Sequence, residues 1–167
     1  MRLSARGLNL NLITLEEAIQ QRKALRAAGK TLVFTNGHFD LLHVGHVDYL
    51  EKARALGDAL FVGLNDDECT RRLKGPGRPI VPAEGRARML AALKPVDGVI
   101  IFPEDTADAL IRALQPDIYV KGGDYADKPL PERPAVEAYG GHIQLIEYLP
   151  EHSTSALIAR VRALPDR

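Results

Sequence analysis

The sequence predicts an α/β fold, a three-layer α/β/α sandwich built on a mostly parallel five-stranded sheet. Three observations lead there. Five short apolar runs alternate with segments of helical period along 167 residues. Glycine, proline and polar residues punctuate nearly every junction between them. A glycine turn also separates the first strand from its helix, which is where ligands sit in parallel sheets, beyond the carboxyl ends of the strands. Alternation of this kind implies right-handed crossovers and helices on both faces. The length suits one domain spanning 1–167, with residues 1–13 outside the core as an arm.

Each element can be argued in turn. Residues 14–28 carry Leu15, Ala18, Ile19, Arg22 and Leu25 at helical spacing, with Thr14 and Glu17 as a capping box and Gly29 as the stop. Residues 31–35 form a buried strand and 44–56 a helix ended by Gly57. A strand over 59–63, a short helix over 66–73 and a Gly/Pro-rich ordered loop over 74–82 follow. Then come a helix over 83–93, a strand over 98–102, a helix over 106–114, a strand over 118–121, a helix over 133–139 closed by Gly140 and Gly141, a strand over 143–146, and a last helix over 154–164 capped by Ser153.

Composition excludes several classes. Lys and Arg total 22 and so do Asp and Glu, so no global charge marks the chain for nucleic acid or an anionic membrane. Any phosphate binding must be local. The single cysteine, Cys69, cannot form an internal disulfide, and with no signal peptide legible the expectation is a reducing cytoplasm. No apolar run approaches the ~20 residues of a membrane span.

The chemistry concentrates between Asn36 and His46. Asn36, Gly37, His38 and Phe39 read as a turn whose backbone approaches phosphate, glycine at 37 removing the Cβ that would obstruct it. The helix start beyond it offers unpaired amides and the positive end of a macrodipole. His43 and His46, flanking Gly45, lie one helical turn apart and face the same anion. Spacing alone also permits a zinc site from His38, His43, His46 and Asp40. Ser153, Thr154 and Ser155 open the last helix with hydroxyls beside free amides, a second anion seat. Lys121, Gly122, Gly123, Asp124 and Tyr125 leave a strand on the ligand side. Arg71, Arg72, Lys74 and Arg78 form the densest positive patch.

The run from Gly37 to His46 resembles the signature of the HxGH nucleotidyltransferases. The segments 63–67, 71–79, 120–125 and 152–155 resemble, within that superfamily, the adenylyltransferases of D-glycero-β-D-manno-heptose 1-phosphate. The likeness runs from about Leu15 to Arg162. It implies a Rossmann-like sandwich and the stand-alone counterpart of a domain that many bacteria fuse to a sugar kinase. It also implies transfer of AMP from Mg2+-bound ATP to a sugar 1-phosphate, and a homo-oligomer, dimer or higher.

Residue by residue, the resemblance sets His46 nearer the α-phosphate and His43 nearer the β-phosphate, with Lys74 as a third catalytic group. It assigns Asn36, Gly37, His38, Phe39, Asp40, Gly45, Asn65, Lys121, Gly122, Gly123, Asp124, Ser153, Thr154 and Ser155 to the nucleotide. Asp40, Arg72, Lys74, Arg78, Arg86 and Tyr125 go to the acceptor. Two departures stand out: His38 occupies a position where relatives usually carry cysteine or another small residue, and Ser155 replaces a commoner threonine. Asp40 has a second reading, an Asx-type bond to its own loop.

A sugar phosphate is already mostly dianionic near neutral pH, its second pKa being about 6. The reaction therefore needs no general base, only positioning and charge stabilisation. Two alternatives stay open at this point: a cytidylyltransferase acting on glycerol 3-phosphate or a related alcohol phosphate, and a nucleotide-binding sensor without turnover.

Overall fold

A computed structural model of the protein describes residues 11–125, 128–150 and 152–165. The first ten residues of the expected arm lie outside them. Asn11–Ile13, the end of that arm, are docked rather than free: Leu12 bridges Val99, Ile13 N donates to Val99 O, and the Asn11 amide reaches Val96 O at 2.8 Å.

Strands β1 (Leu32–Gly37), β2 (Ala59–Asn65), β3 (Gly98–Phe102), β4 (Ile118–Gly122) and β5 (His142–Ile146) form one sheet in the order β3-β2-β1-β4-β5. All four pairings are parallel, where the sequence predicted a mostly parallel sheet. Around it lie α1 (Leu15–Ala27), α2 (Val44–Arg54), α3 (Asp67–Lys74), α4 (Ala83–Ala91), α5 (Asp108–Leu114), α6 (Arg133–Glu137) and α7 (Thr154–Arg162). The capping box of α1 is present, with Glu17 N donating to Thr14 Oγ1 and Thr14 N to Glu17 Oε2.

Alternation along the strands feeds two cores. Leu32 and Phe34 of β1 pack with Ala18 of α1, Ile111 of α5 and Val136 of α6. Val33, one residue out of phase, packs with Leu50 of α2 and Leu90 of α4 on the other face. Every residue of β2 is buried, as a central parallel strand requires. α7 differs from the other long helices in that none of its residues is fully buried.

The boundaries depart from expectation where tertiary pairing overrides local signals. β1 runs two residues past Thr35, because Asn36 and Gly37 pair in register with Gly63 and Leu64 of a correspondingly longer β2. Those two residues end a strand rather than forming the turn. The turn proper begins at His38 and uses Phe39 with a positive φ of 44°. α5 starts at Asp108 rather than residue 106, α2 ends at Arg54, and α6 stops at Glu137. Among the described residues no helix is long and apolar enough to cross a membrane.

Candidate active site

β1 is central and its carboxyl end opens into a cleft of about 560 Å³. Asn36, Gly37, His38, Phe39 and Asp40 form its floor, and His43 and His46 one wall. Ser153, Thr154 and Ser155 face them from the start of α7. Residues more than a hundred positions apart therefore share one cavity. Gly45 makes the junction possible: a Cβ there would meet both the His43 ring and the His152 Cβ at 3.0 Å.

The two imidazoles stack, ring centroids 3.8 Å apart and planes 25° from parallel. His46 also leans on Phe39, at 5.2 Å. The Nδ1 atoms of His43 and His46 are buried and have no hydrogen-bond partner among the described residues. Burial, then the neighbouring His43, pushes the His46 pKa down to about 4. Burial, then His152, lowers that of His43. Two stacked rings cannot both hold a proton cheaply unless an anion lies against them. His43 caps α2 without a side-chain bond and no acidic residue occupies the first turn, so that helix end still favours an anion. Ser153 accepts from Ala156 N at 3.1 Å, which leaves its hydroxyl proton to give away.

Across the cleft, among the residues expected to hold the acceptor, Asp40 is 2% exposed and its carboxylate takes the amides of Ile80 and Val81 and Arg78 Nε. Burial alone would raise its pKa, but the Val81 and Ile80 amides and Arg78 together hold it below the usual carboxylate value. Asp40 thus bonds to the 78–81 loop rather than to its own backbone. Arg78 spends only Nε there; its two terminal nitrogens have no protein acceptor among the described residues. Lys74, at the end of α3, lines the cleft and makes no ion pair among those residues.

The other two arginines assigned to substrate do not line it. Arg72 is engaged at the surface by Asp105 and Pro103 O. Arg86 projects from the buried face of α4 and is wholly enclosed, donating to Val81 O, His38 O, Asn65 O and Asp67. It braces the floor from beneath.

His38 Nδ1 lies 3.0 Å from Thr70 Oγ1, and burial, then Lys74 and Arg86, pushes its pKa down to about 4. Asn65 turns its amide to Cys69 Sγ and Glu104 O. Lys121 is nine-tenths buried, with Nζ 5.4 Å from the Tyr125 ring centroid and 5.9 Å from that of Tyr119. Gly122 ends β4 and Gly123 opens the 3-10 turn that follows; neither lines the cleft, and the side chain of Asp124 lies outside the described residues.

The cleft also has lining residues to which sequence reasoning gave no role: Tyr49, Asp105, Thr106, Glu132, Tyr148 and His152. His152 adjoins the serine-threonine turn and could have been found there. Glu132 and Asp105 carry no local signal. Among the described residues no three His, Cys, Asp or Glu side chains converge for a metal.

Such a fold, with a cleft at the carboxyl end of its central strand, defines a Rossmann-like α/β domain of the nucleotidyltransferase class. The chain belongs to the cytidylyltransferase-like family, whose model matches residues 34–159. It is 54% identical over 136 residues to the bifunctional protein HldE of Syntrophotalea carbinolica, covering 81% of this chain and 28% of that protein. It is 48% identical over 155 residues to HldE of Alkalilimnicola ehrlichii, covering 93% and 32%. The chain thus spans about a third of the length of these relatives. The crystal structure of the lipopolysaccharide core biosynthesis protein from Thermoplasma volcanium superimposes with a TM-score of 0.60 at 28% identity, covering 72% of this chain and 98% of that one.

Proposed function

We propose that the protein transfers AMP from ATP to D-glycero-β-D-manno-heptose 1-phosphate, releasing pyrophosphate and forming ADP-heptose. The observation that carries this reading is the convergence of the stacked His43–His46 pair and the Ser153–Ser155 turn on one cleft. The extensive identity to proteins named HldE and the likeness to a lipopolysaccharide core biosynthesis protein support the heptose acceptor.

A phosphate oxygen of the acceptor attacks the α-phosphorus; that O–P bond forms as the bond to the β-phosphate bridging oxygen breaks, and pyrophosphate leaves with the electron pair. The nucleophile is already ionised, so this chain's work is to gather anions and stabilise the equatorial oxygens. His46 serves the α-phosphate and His43 the β-phosphate. The hydroxyls of Ser153, Thr154 and Ser155 hold the outer phosphates, and the floor amides approach the α-phosphate. Lys74 and the terminal nitrogens of Arg78 seat the acceptor phosphate.

Mg2+ fits as a passenger on the triphosphate. The cleft offers hydroxyls but no converging set of metal-ligating side chains among the described residues, which suits an ion held mainly by phosphates and water. When bound it neutralises charge on the leaving pyrophosphate.

The family description keeps a cytidine nucleotide in view. Pyrophosphate release measured with ATP or CTP against heptose 1-phosphate or glycerol 3-phosphate separates the two readings. The expected pair is ATP with heptose 1-phosphate; turnover confined to CTP with glycerol 3-phosphate would overturn the assignment.

A further inference from the structure

The cleft is divided by hydrogen-bonding character. The end formed by His43, His46, Lys74, Arg78 and the α7 hydroxyls is rich in donors. Asp105 and Thr106, just ahead of α5, and Glu132, just ahead of α6, form an acceptor patch in the lining. Its centre is Glu132, whose side chain is buried at 4% exposure within a cavity meant for anions. One oxygen, Oε1, takes a long bond of 3.4 Å from Ala107 N. The other, Oε2, is fully enclosed and has no partner among the described residues. Tyr119 stands close enough for burial, and then the Glu132 charge, to raise its phenol pKa. Its hydroxyl is also within reach of Glu132, but its single proton goes to Asn36 Oδ1 at 2.6 Å. Beside Glu132, Thr106 donates its hydroxyl proton to Asp108 and can only accept further bonds.

A buried carboxylate with a bare oxygen is costly, and near phosphate it is also repulsive. It calls for a group that donates protons or carries positive charge, and in the acceptor substrate that group is a sugar hydroxyl. Resting on the sugar 1-phosphate reading above, we propose that Glu132 is the residue that recognises the acceptor sugar, taking hydroxyl hydrogens on Oε2. The patch is continuous with the acceptor-phosphate side: Asp105, next to Thr106, is tied by Arg72 to α3, the helix that ends in Lys74. The triphosphate seat lies on α2 and α7 instead. A sugar with its phosphate at Lys74 and Arg78 thus turns its hydroxyls toward Glu132.

Steady-state kinetics with both substrates varied independently test this on Glu132→Ala and on Glu132→Gln, which keeps an acceptor oxygen for Ala107 N. Loss of a charged hydrogen bond predicts that KM for heptose 1-phosphate rises about tenfold or more in the alanine variant. The glutamine variant should fall between, with KM for ATP and kcat near wild type in both. A rise in KM for ATP as large as that for the acceptor, or a loss of kcat alone, overturns the assignment. So does an unchanged acceptor KM in the glutamine variant. Should the wild type use CTP and glycerol 3-phosphate, the adenylyltransferase reading fails, while Glu132 is judged by the same KM comparison on the glycerol hydroxyls.

Discussion

The ring of Tyr148 lies directly across the backbone of Gly122, so closely that any Cβ at 122 would overlap the far end of the ring. Tyr148 in turn tilts against Tyr49, centroids 5.6 Å apart, and lines the cleft. Gly122→Ala should swing this ring aside. Because Tyr148 is half exposed and can rotate outward, stability should change by about 1 kcal/mol or less, while KM for ATP rises several-fold. Gly123→Ala is the control for stability: its Cβ would meet nothing nearer than Glu147 Cα at 3.5 Å, so the denaturation curve should stay near wild type.

His46→Ala should cost rate more than binding. Removing one preorganised donor from a transition-state oxyanion typically lowers kcat by about 10²–10³. Calorimetric affinity for ATP should fall much less, since the interaction strengthens as charge develops. Equal losses in rate and affinity would instead favour a nucleotide sensor.

Protonation should couple folding and nucleotide binding. His46 and His38 fall to about 4 in the folded protein, against about 6.5 for an unfolded histidine. Between those values the folded state binds fewer protons, so the stability of the ligand-free protein is full above about pH 6.5 and declines as pH falls toward 4. Asp40 and Asp117, whose pKa values are lowered by folding, lose their stabilising share only near and below their ordinary value. Urea midpoints at about pH 7.5 and pH 5 therefore read the histidines, and equal midpoints would contradict the shift. ATP, by placing anions on the rings, should bind with proton uptake near pH 6, visible as calorimetric enthalpies that vary with buffer.

Arg86 and Lys74 should separate into stability and affinity. Arg86→Ala strands three backbone carbonyls beneath the floor and removes one partner of the partly exposed Asp67, and each buried group left unsatisfied costs about 1–3 kcal/mol. Chemical denaturation should show it. Lys74→Ala, on an exposed helix end, should leave the denaturation curve near wild type while raising acceptor KM about tenfold.

The elements were legible because periodicity and punctuation agree. Thr14 and Glu17 announce α1, Ser153 announces α7, and the apolar runs give all five strands. What escaped depends on partners far away in sequence. Nothing near Thr35 says that β1 continues to Gly37; the register with Gly63 and Leu64 decides it. The motif histidines and the serine-threonine turn could be picked out as candidate anion seats because each signal is local, and the fold brings them to one cleft. Arg72 and Arg86 look alike in the sequence to Lys74 and Arg78, yet Asp105 claims one and the floor carbonyls the other. Glu132 gains its significance only from what surrounds it.

The shallow seating of α7 has a consequence for how the protein behaves on binding. With no fully buried residue, that helix contributes little to global stability, and its amides should exchange through small local openings that leave the sheet intact. A triphosphate spanning α2 and α7 would then act as a cross-link between a rigid body and a loosely held one. Part of the intrinsic affinity is consumed in fastening the second to the first. Hydrogen exchange should accordingly slow along α7 far more than along β1 when nucleotide is added, so that the tightness of binding and the quiet of this helix vary together.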